Sequence, residues 1–311
     1  MKWKGGAVAD LLDFRIETFL VVCRTLNYTR AAEELALTQP AVSQHIAHLE
    51  RLLGSKLFTY RNKRLALTEA GEELRRCAEG MQHESKLLAR RLTALRSGRE
   101  RFSVGMTLTA GEYILARPLA QWLALHPEVD VRVVQGDTKR LLALLEAGEV
   151  DFALIEGFFD RQRFDWLVLC REQLVGVYAP GHEAARLQRA SWDDLLPNRL
   201  FVRERGSGTR AVLDHVLAAN NLSVGDFARM TEVESINIIK TLVGDGLGIA
   251  FLYEAAVADE LARGSLARID LAGAPIEHDI TFVCHKDGVL RDRLRTMFAE
   301  LAELYKTAAR R

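Results

Sequence analysis

Cysteine is scarce in this chain of 311 residues: the four present, Cys23, Cys77, Cys170 and Cys284, lie far apart with no Cys-x-x-Cys spacing. A disulfide framework is thereby excluded, and the four read as isolated, reduced thiols. No stretch approaches the ~18 uninterrupted apolar residues of a membrane span. Residues 1–11, MKWKGGAVADL, contain no apolar run long enough for a signal peptide; they are expected to form a flexible extension, and the protein is expected in the cytoplasm. The chain also lacks Ser-x-x-Lys and Gly-x-Ser-x-Gly, and nothing pairs a nucleophile with a base, so no catalytic residue is assigned. His45-x-x-His48 puts two imidazoles on adjacent helical turns, but no acidic or cysteine cluster completes a metal set, which leaves a solvated or DNA-facing pair. Gly244-Asp-Gly-Leu-Gly248 follows a helix and precedes a strand, the reverse of a dinucleotide loop.

Net charge is missing too: 42 Lys and Arg balance 42 Asp and Glu. The distribution is uneven. Residues 1–101 hold 18 basic against 12 acidic side chains, leaving minus six for the rest, as in a basic arm on an acidic body.

The most informative stretch is Thr29–Gly54. Thr29 is a good N-cap residue, and Ala31, Ala32 and Leu35 fall on one helical face, the two alanines allowing close approach of another helix. Thr38, Gln39 and Pro40 announce a second helix, whose expected buried stripe is Val42, Ile46, Leu49 and Leu53. Gln39, Pro40, Ser43, Gln44 and Ala47 then face outward, small or amide side chains suited to base edges, with no acid to oppose phosphate. Phe14, Phe19, Val22 and Leu26 are candidates for the core beneath these helices. Two short strands follow, Lys56–Phe58 and Leu65–Leu67, joined by the basic segment Tyr60-Arg61-Asn62-Lys63-Arg64.

Phe14–Gly71, with NYTRAAEELALTQPAVSQHIAHLE followed by KLF and LTEAG, resembles the winged helix-turn-helix of LysR-type transcriptional regulators, and the later order of elements also fits that family. The resemblance implies contacts to double-stranded DNA from Thr29, Thr38, Gln39, Pro40, Ser43 and Gln44, with Arg61, Lys63 and Arg64 on the wing.

Thr68 caps a long helix in which Leu74, Met81, Leu88 and Leu95 recur every seven residues, a seam for a partner helix. Beyond it strands and helices alternate. Strands are expected at Phe102–Met106, Val131–Val134, Asp151–Ile155 and Leu167–Leu169, then at Leu174–Tyr178, Leu200–Val202, Phe227–Val233 and Ile249–Phe251. Helices are expected at Gly111–Leu125, Lys139–Ala147, Thr209–Asn220 and Ser235–Val243. The strands Ala267–Leu271 and Ile280–Cys284 and a last helix over Val289–Lys306 return to the first unit, so that the chain crosses twice between two lobes. The predicted fold is α/β overall: an extension (1–11), a winged helix-turn-helix (12–68), a linker helix (69–98) and a two-lobed effector domain (99–311) like that of periplasmic binding proteins. Its first lobe takes in about 102–170 and 267–311, its second about 171–266.

Two segments join a strand end to a helix start, Thr107-Leu-Thr109-Ala-Gly111 and Arg203-Glu-Arg205-Gly-Ser207-Gly-Thr209-Arg210. Free backbone N–H groups, hydroxyls and Arg210 make both suitable for a small anion or a carboxylate-bearing metabolite. GSGTR resembles the branch of the family that includes regulators of sulfur assimilation and carbon fixation. In that resemblance Thr107, Thr109, Ser207 and Thr209 contact the effector, and the loop at Glu156-Gly157 closes the cleft. The expected function is therefore a ligand-responsive regulator without a resident cofactor. It would act as a homodimer or homotetramer, paired through the linker helix and effector domains, whose arrangement alters DNA bending and the access of RNA polymerase. A solute-binding or small-molecule-processing protein on the same two-lobed body is the alternative.

Overall fold

In the computed structural model, residues 12–61, 64–97, 99–286 and 290–309 are described. The chain divides into two compact units, one of Met1–Gly98 with Glu146–Glu149 and one of Arg99–Leu145 with Val150–Arg311.

The N-terminal unit begins with α1 (Phe14–Thr25), α2 (Tyr28–Glu34) and α3 (Gln39–Leu53). Asn27, not Thr29, caps α2: its side chain accepts from the N–H groups of Thr29 at 2.9 Å and Arg30 at 3.1 Å. Asn is as good a cap as Thr, and it sits where α1 ends with Leu26 in a left-handed conformation. Thr38 caps α3 by accepting from the Ala41 N–H at 3.3 Å, and Pro40 occupies the first turn, where a missing N–H is harmless.

The core joins Phe19, Leu20 and Val22 of α1, Ala31 and Ala32 of α2, and Val42, Ile46 and Leu49 of α3. Three expected core residues are absent from it. Phe14, Leu26 and Leu53 are each about half exposed, because they lie at helix ends beyond the reach of the neighbouring helices.

Strands β1 (Phe58–Arg61) and β2 (Arg64–Leu67) pair antiparallel from Phe58↔Leu67 to Arg61↔Arg64. The ladder starts later than the sequence predicts because side chains take the backbone groups of residues 56 and 57. Glu50 accepts the Leu57 N–H at 3.0 Å, and Thr68 Oγ1 donates to the Lys56 carbonyl at 2.5 Å. Thr68 also accepts from the Gly71 N–H at 3.0 Å, capping α4 (Glu69–Ser97). Ala78 and Leu74 pack on the N-terminal core, whereas Met81, Leu88 and Leu92 stand exposed along the helix. The side chain of Leu95 lies outside the described residues.

The second unit begins with β3 (Glu100–Met106), a π-helical turn at Thr109–Leu115 continuing into α5 (Ala116–Leu125), β4 (Val129–Gln135), α6 (Thr138–Glu146) and β5 (Phe152–Ile155). Then come β6 (Phe164–Tyr178), α7 (Trp192–Leu195), β7 (Arg199–Val202), α8 (Gly208–Ala219), β8 (Arg229–Glu232), α9 (Ile236–Gly244) and β9 (Ile249–Tyr253). The chain closes with α10 (Glu254–Arg263), β10 (Ala267–Arg268), β11 (Ile276–His285) and α11 (Arg291–Ala309). One sheet runs through both lobes in the order β4-β3-β5-β11-β6-β9-β7-β8.

The strands expected at 167–169 and 174–178 are one continuous strand, β6, whose polar middle Cys170-Arg-Glu-Gln173 reads as a break. That middle is stabilised by charge instead of apolar burial: Arg171 reaches Asp279 of β11 at 3.2 Å, and Glu172 accepts from the Tyr305 hydroxyl at 3.1 Å. β6 and β11 pair from Ile276↔Leu174 to His285↔Phe164 and form both crossings. β10 pairs with Val177 and Tyr178, and Ile269 and Leu271 belong to the second lobe's core, so the return to the first lobe falls at Ile276 and not at Ala267. The helix α10 goes unmarked in the sequence reading although Glu254–Arg263 is built almost wholly of good helix formers.

Ile46→Ala is expected to destabilise the N-terminal unit by roughly 2–4 kcal/mol, the cost of emptying a packed core site. Leu53→Ala is expected to stay within about 0.5 kcal/mol, as for an exposed position. Urea unfolding followed by circular dichroism distinguishes the two, and equal losses would return Leu53 to the core.

Candidate DNA-binding surface and effector cleft

In the N-terminal unit Val42, Ile46 and Leu49 turn one side of α3 into the core, which leaves the opposite side to solvent. Thr38, Gln39, Pro40, Ser43, Gln44 and Ala47 are all exposed there. Thr29 is exposed on the first turn of α2, beside Arg30. Arg30 is an exposed cation that sequence reasoning passed over, although it adjoins the assigned Thr29. His45 does not share the outer face. Its Nδ1 lies 2.9 Å from the Thr18 hydroxyl and its ring packs edge-on against Phe14, with centroids 4.9 Å apart, so it joins α3 to α1. Burial lowers the pKa of its imidazole. On the wing, Arg61 and Arg64 are paired residues and both exposed. Lys63 lies outside the described residues.

In the second unit the assigned effector residues lie at the carboxyl ends of strands, where open α/β sheets bind ligands. Thr107 and Thr109 follow β3, Glu156 and Gly157 follow β5, and Ser207 and Thr209 lie where the loop after β7 enters α8. All six are buried, whereas Arg205 and Gly206, just before Ser207 in the loop, are exposed. The backbones of the two lobes touch here. A Cβ on Gly208 would come within 2.1 Å of the Glu156 carbonyl oxygen, and Gly157, at φ +98°, has its own pro-Cβ position 2.8 Å from Gly208 Cα. Only glycine permits that approach at 208 and that conformation at 157.

The centre of the cluster is a carboxylate that sequence reasoning did not assign. Glu156 is 1% exposed; the Thr107 hydroxyl donates to its Oε2, and the Thr209 hydroxyl donates to its Oε1 at 3.4 Å. Its carbonyl accepts from the Thr138 hydroxyl at 2.5 Å, and His278 Nε2 lies 3.0 Å from the carbonyl of Gly157. Burial raises the pKa of the Glu156 carboxyl, against the opposing influence of the Thr107 hydroxyl and the charge of Arg203. The only sequence sign of it is an acid directly ending the apolar run Phe152-Ala-Leu-Ile155.

Among the described residues the hydroxyl of Ser207 and Nη1 of Arg203 are buried without a hydrogen-bond partner, and the hydroxyl of Thr109 makes no bond of regular geometry although it lies beside Glu156. Ser207 is the N-cap residue of α8, yet its side chain makes no capping bond. Buried, unpaired donors of this kind are what a ligand would satisfy. The arginines are less free than the sequence implies. Arg203 grips Glu204 through two bonds of 2.8 Å. Arg210, read from sequence as an anion holder, instead donates to Asp214 at 2.8 Å and to the Arg203 carbonyl at 3.1 Å, and its Nη1 lies 3.5 Å from Glu232.

Cavities among the described residues open on the second lobe. One, of about 330 Å³, lies against β6 and Arg268–Ile276; another, of about 500 Å³, lies beside the start of α8 and is lined by Arg205, Ser207, Arg210 and Asp214. Thr107, Thr109 and Thr209 line neither, being closed around Glu156. Burial also pushes the thiols of Cys23, Cys170 and Cys284 up to about 12, so none of these three is a thiolate near neutrality. No helix among the described residues is long and apolar enough to cross a membrane.

Comparison with known proteins joins the two sites. Residues 15–72 match the bacterial regulatory helix-turn-helix protein of the lysR family, and residues 96–306 match the LysR substrate binding domain. The HTH-type transcriptional regulator CfxR of Cupriavidus necator is 32% identical over 274 residues, covering 87% of this chain and 84% of CfxR. A probable RuBisCO transcriptional regulator of Cyanophora paradoxa is 28% identical over 285 residues, covering 90% of this chain and 87% of the relative. The regulatory domain of Synechocystis PCC6803 CcmR, solved in complex with 2-PG, shares the fold with a TM-score of 0.59 at 20% identity, over 66% of this chain and 97% of that domain. The chain therefore belongs to the LysR family, as a ligand-responsive DNA-binding transcriptional regulator with an N-terminal helix-turn-helix unit and a two-lobed α/β effector-binding domain.

Proposed function

We propose that the chain regulates transcription from the cytoplasm, without enzymatic turnover. α3 lies in the major groove, and a small anionic or carboxylate-bearing metabolite occupies the cleft between the lobes of the second unit. The observation that carries the cleft assignment is the convergence of hydroxyls from both lobes on one buried point, with those of Thr109 and Ser207 lacking a regular hydrogen-bond partner among the described residues. Thr107 and Thr109 supply one wall, Ser207 and Thr209 the other, and Gly157 lets the backbones close. Backbone N–H groups at the start of α8 favour negative charge. The CcmR regulatory domain bound to 2-PG supports the same ligand class. Arg210 acts by holding the Arg203 carbonyl, and with it the loop that carries Ser207.

On DNA, Gln39, Ser43 and Gln44 read base edges from the exposed side of α3, Gln being able to pair bidentately with adenine. Thr29, Thr38 and Pro40 approach the backbone, and Arg61, Lys63 and Arg64 follow it along the wing. Arg30 joins this set by position. The exposed apolar residues Met81, Leu88 and Leu92 on α4 support pairing with a second copy, which would set two recognition helices about 34 Å apart on DNA. Dimer or tetramer rearrangement on effector binding then changes DNA bending and the access of RNA polymerase.

Replacing Gln39, Ser43 and Gln44 together by Ala is expected to lower preference for the cognate site by at least about 100-fold, at ~1–3 kcal/mol per base contact. Weak, salt-sensitive binding should remain, measured by fluorescence anisotropy against random DNA; unchanged preference would remove these residues from the reading face. Thr107→Val and Thr209→Val should each weaken the effector's influence on DNA binding about tenfold, the loss of one hydrogen bond to a charged group. Simultaneous loss of DNA binding would indicate misfolding instead. Leu88→Asp should give monomers in light scattering, and an intact dimer would place the interface elsewhere.

A further inference from the structure

The cleft already contains a carboxylate. Glu156 holds the hydroxyls of Thr107 and Thr209, one from each lobe, and is the group that bridges them. Both hydroxyls are assigned above to the effector. An incoming anion must therefore share its donors with, or take them from, a side chain of the same sign.

The surrounding charges do not accommodate two anions. From β7, Arg203 faces Glu156, but two of its three nitrogens are committed to Glu204, leaving Nη1. From α8, Arg210 is shared between Asp214 and Glu232. From β9, the Tyr253 hydroxyl is buried with no partner among the described residues, and burial together with the charge of Glu156 raises its pKa well above the usual value, so it stays neutral. From β11, His278 is directed to the Gly157 carbonyl, and Asp137, at the start of α6, stands against Gly206. Of these charges Glu156, Arg203 and Arg210 are buried; Arg203 is paired with Glu204, and Arg210 with Asp214 and Glu232 at the solvent edge. With both arginines so paired, a further negative charge beside the buried Glu156 is opposed unless that carboxylate gives up its own.

We infer, on the basis of the cleft assignment above, that Glu156 is an internal ligand of the effector subsite and that an anionic effector enters only together with a proton that neutralises this carboxylate. The neutral acid keeps the size and the hydrogen-bonding capacity of the carboxylate while removing its repulsion, and its O–H becomes a donor to the bound anion. Ligand-free chains are then bridged by the charged Glu156, and effector-bound chains by the effector with the protonated acid beside it. No redox or covalent step is involved: one proton is taken from solvent for each anion bound and returned on release.

Linkage gives this a readout. In the folded chain the Glu156 carboxyl retains its proton to higher pH than in the unfolded chain, since burial raises its pKa from the ordinary 4.5. The folded state then binds more protons than the unfolded one, and stability falls as pH rises through that interval.

The test uses the full chain and the variant Glu156→Gln, titrated with inorganic sulfate and with acetate, neither of which changes charge in the range, by calorimetry from pH 6 to pH 8.5. Two buffers of different ionisation enthalpy report proton uptake. The natural chain is expected to take up one proton per anion, with Kd rising about tenfold per pH unit above the pH at which Glu156 ionises. Glu156→Gln is expected to bind at least tenfold more tightly at pH 8, with no proton uptake and a flat profile. Ligand-free melting should show the natural chain losing stability as pH rises, and the variant losing less. Anion binding by the natural chain without proton uptake overturns the inference and leaves the cleft assignment standing, as does weaker binding by a folded Glu156→Gln. If neither protein binds either anion at any pH while the natural chain still loses stability with rising pH, the anionic-effector assignment fails, and the proton-coupled entry of an anion fails with it.

Discussion

The pairing of β6 with β11 is the constraint on which the second unit depends. Both strands belong to both lobes, so the lobes share one sheet and cannot separate without breaking that ladder. The carboxyl ends of β3, β5, β7 and β9 are thereby brought to one place, and each delivers a group to it: Thr107 after β3, Glu156 after β5, Arg203 after β7 and Tyr253 at the end of β9. Four segments remote in sequence make one polar cluster because the shared strands leave them no other arrangement. The irregularity in β11 between Ile280 and Thr281 lies opposite Cys170 and Val168, with Leu169 as the extra residue of β6, just beside the polar stretch of the crossing. Any relative motion of the lobes on ligand entry is expected to bend the chain there, since the ladder elsewhere is regular.

The N-terminal unit meets a different constraint, that of keeping an exposed face on a short helix. α3 turns three apolar residues inward and has amide, hydroxyl and small side chains opposite them, so its stability comes from Val42, Ile46 and Leu49 while its chemistry comes from residues free of packing duties. The alanines at 31 and 32 are needed because α2 must approach closely enough for those three side chains to be covered. Glu50 links the end of α3 to the wing by accepting the Leu57 N–H and pairing with Lys56 at 2.6 Å. Glu50 thus ties helix to wing, together with Leu57, Phe58 and Leu65 in the shared core, and the exposed Arg61 and Arg64 are held in a fixed relation to Gln39, Ser43 and Gln44.

What the sequence made legible followed the strength of its local signals. Helical periodicity with a Thr-x-Pro start defined α3 almost to the residue, and the β-rich runs located seven of the strands within a few positions. The failures have physical causes. Thr29 and Asn27 are both capable caps, and only the end of α1 at Leu26 decides between them. Leu53 fits the stripe of α3 in projection but has no neighbouring helix to cover it. β6 read as two strands because its middle is held by ion pairs and a tyrosine hydroxyl, which no apolar pattern records. Of the cleft, the hydroxyls were legible and their common partner was not.

Glu156 is placed by the resemblance in the loop that closes the cleft, but its carboxylate is given no role there, because an acid after a strand is in most chains the first solvated residue of a loop. Here the residue after it is Gly157, and the residue it meets is Gly208, so the loop is pressed against another backbone instead of opening to water. A polar side chain at such a point is buried whatever its charge, and must then find donors or hold a proton. Thr107, Thr209 and Thr138 supply the donors for its carboxylate and carbonyl, and Arg203 supplies only the charge that Glu204 leaves uncompensated. Glycines on both sides of a contact thus decide the electrostatics of the residue between them. The same close approach that lets the lobes shut also fixes the state of charge in which the cleft can receive an anion.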